Sequence, residues 1–162
     1  KLIFLQLLVT IPFYFFFVIT IFPGSLNDDY KKRVMSKTAN GYDLAMWTNS
    51  VLNKEDILIS SHRSISLFKN KTYSGVFTWH IDLANPQAKI YLDFLKSKKI
   101  NRILVYMNDD GKEIYKGCLG KKIFFNEKAG KHVGRNPFRN SEYYTASIYE
   151  FNYKELPNCI KN

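Results

Sequence analysis

Residues 85–107 read NPQAKIYLDFLKSKKINRILVYM, a stretch that contains one helix followed by one strand. Asn85 is a favoured N-cap residue and Pro86 suits the first helical position, so a helix is expected to begin here. An apolar stripe follows at helical spacing, formed by Tyr91, Phe94 and Leu95. Residues 102–107 then carry the branched and aromatic side chains that favour a buried strand. The stretch therefore predicts a helix that packs on a sheet.

The same alternation of helices and strands extends to both sides of this stretch. An apolar run at residues 57–60 predicts a buried parallel strand. Further elements are expected as a helix over residues 42–52, a short helix over 61–68, and strands over 71–77 and 143–151. Alternation of this kind is typical of a small three-layer α/β domain with a mostly parallel sheet, which we assign to residues 42–162.

The N-terminal stretch has a different composition. Residues 2–22 contain no charge and are dominated by Leu, Ile, Val and Phe. As a helix rising about 1.5 Å per residue, they are long enough for a hydrocarbon core of about 30 Å. A signal peptide has a shorter apolar stretch of about 7–15 residues and a small-residue cleavage site. We therefore predict a transmembrane helix over residues 1–23 and a juxtamembrane stalk over 24–41. Because the chain begins with Lys1 and not Met, we expect this helix to be the last of several.

Composition limits the class of protein. The chain has 162 residues, 46% of them hydrophobic, and a net charge of +10. It is too apolar for a disordered chain and is of a length that suits one domain. A basic segment at residues 128–139, which includes Arg135, is interpreted as a loop that receives an anionic group such as a lipid or glycan phosphate. A solvated loop near anionic headgroups is the alternative. Nucleic acid is not an expected partner, because no RNA-binding aromatic motif is present.

Two cysteines, Cys118 and Cys159, bear on the compartment. An even number suits one disulfide in an oxidising compartment, which favours a periplasmic or extracellular location for the domain. Two reduced, buried thiols are the alternative. The positive-inside rule applied to Lys31 and Arg33 favours the cytoplasm, although this rule weakens for long domains. If the disulfide forms, we expect it to hold residues 120–138 as a closed lid over the sheet edge.

Motifs for the commoner cofactors are missing from the sequence. Residues 117–122 lack the spacing and the Ser/Thr of a phosphate-binding P-loop, and no predicted strand leads into G-x-G-x-x-G. None of the three histidines lies at zinc-ligand spacing from another His or Cys, and the G-x-S-x-G elbow of hydrolases is absent. We therefore expect no cofactor and no metal in this chain. Asn70 begins an N-glycosylation sequon, a short pattern that often occurs by chance.

Four candidate ligand-binding side chains follow the first two predicted strands. His62 and Arg63 come after the first strand, and Trp79 and His80 come after the second. Ligand crevices in α/β sheets open at the carboxyl ends of strands, and sugars bind aromatic faces beside hydrogen-bonding groups. We predict that these residues, with Arg135, bind a sugar or an anionic ligand. Core packing of Trp79 and a structural ion pair of Arg63 are the alternatives.

Several short motifs resemble those of one enzyme family. They read YDLA-x-W-x-N at residues 42–49, L-x-KEDILIS at 52–60, RS at 63–64 and TYSG at 72–75. They are similar to the extracytoplasmic C-terminal domain of polytopic glycosyltransferases of the GT-C type, which are related to the protein mannosyltransferases. The resemblance covers about residues 42–106, and Asn53 stands where that family usually has Pro.

The resemblance implies an integral-membrane enzyme that transfers a sugar from a polyprenyl-phosphate donor to a glycan or lipid acceptor. In such enzymes the catalytic acid lies in an early extracytoplasmic loop, so no residue of this chain inherits a catalytic role. The soluble domain is then expected to help position the substrates. The alternative is a non-enzymatic, membrane-anchored extracytoplasmic domain for binding or scaffolding. The lipid bilayer is an expected partner under both hypotheses.

Overall fold

The computed structural model describes residues 2–22, 27–75, 86–107, 115–132, 142–156 and 158–160. The chain divides into two compact units, residues 1–40 and residues 41–162. The first unit contains the helices α1 (Leu2–Ile21) and α2 (Asp28–Thr38). Asn27 caps α2, since its side chain accepts a hydrogen bond of 2.8 Å from the backbone N–H of Asp29.

Over residues 6–19, helix α1 carries mostly apolar side chains. Every side chain over residues 6–19 is exposed, and Phe13 reaches 69% of its full exposure. Within the residues that the structure describes, we find no helix with both the length and the apolarity needed to cross a membrane. The transmembrane helix predicted over residues 1–23 gains no support from this finding.

The second unit alternates helices and strands. Its helices are α3 (Tyr42–Val51) and α4 (Pro86–Ser97). Its strands are β1 (Ile57–Ser60), β2 (Lys71–Ser74), β3 (Arg102–Tyr106), β4 (Leu119–Lys131) and β5 (Tyr143–Phe151). Short 3-10 helices are Ile65–Leu67, Lys116–Cys118 and Tyr153–Glu155. The predicted α/β class is confirmed.

The five strands form one sheet in the order β2-β1-β3-β5-β4. β1 is parallel to β2 and to β3, whereas β5 is antiparallel to both β3 and β4. The sheet is therefore mixed, and the prediction of a mostly parallel sheet was wrong. Parallel strands need a long crossover connection, usually with a helix, and α4 lies in the connection that runs from β2 past β1 to β3. β4 and β5 are consecutive strands that pair as an antiparallel ribbon.

Helices cover both faces of the sheet, and each face has its own core. On one face, Leu44 and Ala45 of α3 pack with Leu58 and Leu104. On the other face, the apolar stripe of α4 packs with alternate residues of β1, β3 and β5; this core includes Leu92, Leu95, Ile59, Ile103 and Phe151. Successive side chains of a strand point to opposite faces, which is why Leu58 and Ile59 enter different cores.

Strand β4 lies where the sequence favoured a basic, glycine-broken loop. Residues 119–131 pair with β5 from Leu119↔Phe151 to Lys131↔Tyr143, with three register irregularities. The prediction that residues 120–138 form a lid is therefore wrong for residues 120–131, which belong to β4. A lysine-rich strand has weak intrinsic preference for the extended state, and here pairing with β5 overrides it. Lysines and bulges are usual on an edge strand, where they discourage pairing with another chain.

A polar network lies at the end of the sheet where β1 and β3 begin. Asp56 is buried, and its carboxylate lies 3.0 Å from Nε of Arg102 and accepts a 3.0 Å hydrogen bond from the backbone N–H of Asn53. The side-chain amide of Asn70 donates to the carbonyl oxygens of Asn53 at 2.6 Å and Asp56 at 3.1 Å. Asn70 of the glycosylation sequon is thus buried and engaged in the fold.

The predicted disulfide between Cys118 and Cys159 is present. Their Cα atoms lie 5.2 Å apart, within the usual range for a disulfide. Cys118 is fully buried in the core beneath α4, and Cys159 packs against the same core. The bond therefore joins the C-terminal segment around Cys159 to the core of the second unit.

Candidate binding site at the carboxyl edge of the sheet

Four strands bring polar and aromatic side chains to the edge at which β1 and β3 end. Because β5 runs antiparallel to β3, its first residues lie at this edge, and so does the end of β4. The residues gathered there are His62, Tyr106, His132 and Tyr144, which we call the carboxyl-edge cluster. Their rings form a continuous chain of contacts, with centroid distances of 4.8 Å from His62 to Tyr106, 5.8 Å from Tyr106 to Tyr144, and 5.4 Å from Tyr144 to His132.

His62 is buried directly beyond β1, with only 5% of its surface exposed. Gly41 allows this position: its φ of +80° is in the left-handed region, and a Cβ there would collide with the imidazole ring. The ring nitrogen Nδ1 accepts a 3.1 Å hydrogen bond from the backbone N–H of Ser64, and the Ser64 hydroxyl lies 2.5 Å from the same nitrogen.

These contacts determine the protonation state of His62. An Nδ1 that accepts from a backbone N–H carries no proton, so the neutral ring has its proton on Nε2. Burial lowers the pKa of His62 from its ordinary value of 6.5, and the charge of His132 lowers it further. At neutral pH, His62 is therefore a neutral donor through Nε2.

Tyr144 has a buried hydroxyl without a hydrogen bond. The residue is 5% exposed, and its oxygen finds no hydrogen-bond partner among the described residues. Gly130 of β4 leaves room for this side chain, because a Cβ at that position would collide with the phenol. Burial, with the added influence of Tyr106 and Asp43, raises the pKa of Tyr144 to about 12. The phenol therefore keeps its proton at physiological pH, and no described residue accepts that proton in a hydrogen bond.

Two charged groups act on this edge. Asp43 lies in the first turn of α3, and its negative charge contributes to the raised pKa of both Tyr144 and Lys131. The main cause of the raised pKa of Lys131 is its neighbour Tyr143. The edge thus combines two buried donors with an anionic and a cationic group.

The chemistry of this arrangement suits binding better than catalysis. Nδ1 of His62 is held by Ser64, which is two residues away, so the Ser–His contact has the form of a local turn. Among the described residues, no group of three or more His, Cys, Asp or Glu side chains could hold a metal ion. Donors beside aromatic rings are instead what a hydroxylated ligand requires.

The structure describes only some of the residues predicted to bind a ligand. His62 lies in the carboxyl-edge cluster. Arg63 is exposed beside it and makes no hydrogen bond or ion pair with any described residue. Trp79, His80 and Arg135 lie outside the described residues. Their predicted roles stay predictions.

Sequence reasoning missed the other members of the cluster. Tyr106 ends β3, and Tyr144 and His132 lie beside each other across β5 and β4. A signal was available for Tyr106, because a polar aromatic residue at the end of a buried strand is a candidate ligand contact in an α/β sheet. His132 and Tyr144 required knowledge of β4 and of the direction of β5.

Comparison with known proteins gives one family. Neither the curated proteins nor the solved structures yield a match. Residues 36–162, which are most of the chain and include every element from α3 to the C-terminal 3-10 helix, match the DUF1420 C-terminal domain. The chain therefore belongs to the DUF1420 C-terminal domain family.

Proposed function

We propose that residues 41–162 form a binding domain that holds the hydroxylated part of a ligand, such as a sugar, at the carboxyl edge of its sheet. The buried Tyr144 hydroxyl, which has no hydrogen-bond partner among the described residues, carries this proposal. Leaving such a group unsatisfied costs about 1–3 kcal/mol. A ligand oxygen that accepts from this hydroxyl would recover that energy, which makes the position favourable for binding.

The neighbouring groups support a ligand with several hydroxyls. His62 offers a second buried donor through Nε2, and the ring of Tyr106 lies between His62 and Tyr144. A sugar presents acceptor oxygens on its edges and apolar C–H groups on its faces, so it can use both kinds of group at once. Asp43 and Lys131 add charged partners for further hydroxyls.

We place this domain in an integral-membrane glycosyltransferase that uses a lipid-linked sugar donor. The motifs at residues 42–75 support the enzyme class, because they resemble the corresponding domain of the GT-C enzymes. The sequence of residues 2–22, which contains no charge and is dominated by apolar side chains, supports the membrane setting. The disulfide supports an oxidising, extracytoplasmic location. In this proposal the domain positions a substrate, and the catalytic residues lie outside this chain.

A non-enzymatic binding or scaffolding domain is the second candidate. The engagement of His62 Nδ1 by Ser64 is compatible with both candidates, because neither requires a free general base in this domain. The two candidates differ in one measurement. Only the first predicts that membranes containing the whole protein transfer sugar from a polyprenyl-phosphate donor.

The binding proposal is tested by ligand-observed NMR on the full chain in a neutral detergent, with a panel of methyl hexopyranosides as probes. We expect saturation transfer to at least one glycoside. Tyr144→Phe should weaken that binding about tenfold, the effect of losing one buried hydrogen bond of ~1.4 kcal/mol. Tyr91→Phe is the matched control, because the Tyr91 hydroxyl donates to the carbonyl of Ser74. Binding that is equal in the two variants would refute the proposal.

A further inference from the structure

The face of β4 and β5 that points away from α3 carries two exposed aromatic side chains. Phe125 and Tyr143 are each 52% exposed. Their chain neighbours Phe124 and Tyr144 pack in the core beneath α3, and alternate residues of a strand point to opposite faces. Phe125 pairs with Ser147, four residues beyond Tyr143 on β5, so the two rings lie about 14 Å apart along one face.

Lysine ammonium groups lie over both rings. Nζ of Lys122 is 5.1 Å from the centroid of Phe125, while Nζ of Lys128 and of Lys131 are 5.9 Å and 4.6 Å from the centroid of Tyr143. These distances are typical of cation–π contacts. We call the five residues the cationic face.

The cationic face has an excess of positive charge among the described residues. Its three lysines share the face with one carboxylate, Glu127, which lies two residues from Phe125, and the charge of Asp43 also acts on Lys131. None of its three lysines forms an ion pair with another described residue. Glu150 of β5 is next to Phe151 and occupies the other face of its strand by alternation. The chain as a whole has a net charge of +10, which adds to the local positive potential.

We propose that the cationic face docks the domain on the surface of an anionic lipid bilayer. Lysines spread along an extended sheet face match a surface of many separate phosphates better than they match one small anion. Exposed aromatic rings between the lysines suit the headgroup level, where the amphipathic ring of Tyr and the apolar ring of Phe are favourable. This inference stands apart from sugar binding, because Lys122, Phe125 and Lys128 lie outside the carboxyl-edge cluster.

The experiment compares vesicles of phosphatidylcholine with vesicles that contain about 30% phosphatidylglycerol. The full chain is used throughout, so any contribution of α1 is present on both kinds of vesicle and cancels in the ratio of the two partition coefficients. The test variant is K122Q/K128Q. The matched control is K89Q/K96Q on α4, which removes the same charge from two other exposed lysines.

We expect the anionic-to-neutral partition ratio of K122Q/K128Q to fall about 25-fold, at about fivefold per lysine that contacts the surface. The control should fall less than about threefold, and the wild-type ratio should approach one at 1 M salt, where the Debye length is about 3 Å. A second variant, F125S, should also lower the ratio while leaving thermal unfolding within a few degrees of the wild type.

Three outcomes would overturn the proposal. The first is an equal fall in the ratio for the test and control variants, which would indicate attraction by net charge alone. The second is a wild-type ratio near one at low salt. The third is release from anionic vesicles by duplex RNA at an equal phosphate concentration, which would assign the face to nucleic acid. A defect limited to glycoside binding would concern the carboxyl-edge cluster and leave this inference unaffected.

Discussion

Replacing Tyr144 by Phe should stabilise the domain while it weakens ligand binding. The substitution removes one oxygen that is buried and lacks a hydrogen bond among the described residues. Such an oxygen loses its water on folding and gains no partner, at a cost of about 1–3 kcal/mol. Its removal leaves a small void, so part of this gain is lost through weaker packing. We expect a net gain of ~1 kcal/mol in the free energy of unfolding.

The gain is large enough to measure by thermal unfolding. For a unit of roughly 120 residues with an unfolding entropy of about 2.1 cal/mol/K per residue, ~1 kcal/mol corresponds to about 4 °C in Tm. Tyr91→Phe should change Tm by about the same amount in the opposite direction, because the Tyr91 hydroxyl donates to the carbonyl of Ser74. The two Tyr→Phe variants are therefore expected to differ by about 8 °C.

The assay is near-ultraviolet circular dichroism of the full chain in a neutral detergent, recorded during heating without ligand. A saturating glycoside should raise the Tm of the wild type more than that of Tyr144→Phe, because only the wild-type hydroxyl gains a partner. A Tm of Tyr144→Phe that falls as far as that of Tyr91→Phe would refute this reasoning. It would mean that the protein itself satisfies the hydroxyl.

Three further predictions concern the disulfide, His62 and Asn70. Replacing Cys118 and Cys159 by Ala should lower the free energy of unfolding by about 4 kcal/mol on the chain-entropy scale, which a lower urea midpoint of unfolding would show. Alkylation of the native, unreduced wild-type protein should find no free thiol. The pKa of His62 is lowered in the folded state, so the unfolded chain binds a proton at a higher pH than the folded chain does. The contribution of His62 to the free energy of unfolding should therefore be fully present above about pH 6.5 and should fall as the pH drops below that value. His62→Gln should reduce this difference in stability between about pH 7.5 and about pH 5.0, as measured by urea titration. Asn70→Asp should cost about 3 kcal/mol, because a carboxylate replaces the donor that faces the carbonyl oxygen of Asn53, and an unchanged urea midpoint would contradict this account.

Elements with strong local signals could be predicted from the sequence. The strand over residues 57–60 and the helix that begins at Pro86 occur where predicted, because an apolar run and a Pro at the first helical turn specify them locally. β4 could not be predicted in this way. Its residues have little preference for the extended state by themselves, and its formation depends on pairing with β5.

Because β4 was not predicted, most of the candidate site could not be predicted either. His62 could be predicted because it directly follows β1 and because ligands bind where parallel strands end. Had β5 been parallel to β3, Tyr144 would lie at the opposite edge of the sheet. Only the antiparallel direction of β5, and its pairing with β4, bring Tyr144 and His132 beside His62. Strand direction depends on the whole topology, and the sequence near Tyr144 contains no information about it.

The position of β3 in the sheet has a consequence for the order of folding. Both edge pairs are local in sequence: Ile57 pairs with Lys71, and Lys131 pairs with Tyr143. The pairs that β3 makes are distant, since Leu58 pairs with Arg102 and Arg102 with Glu150. Closing long loops is slow because the chain loses entropy before the contacts form. The two edge pairs can therefore form early and independently, and the insertion of β3 between them is expected to limit the rate at which the domain folds.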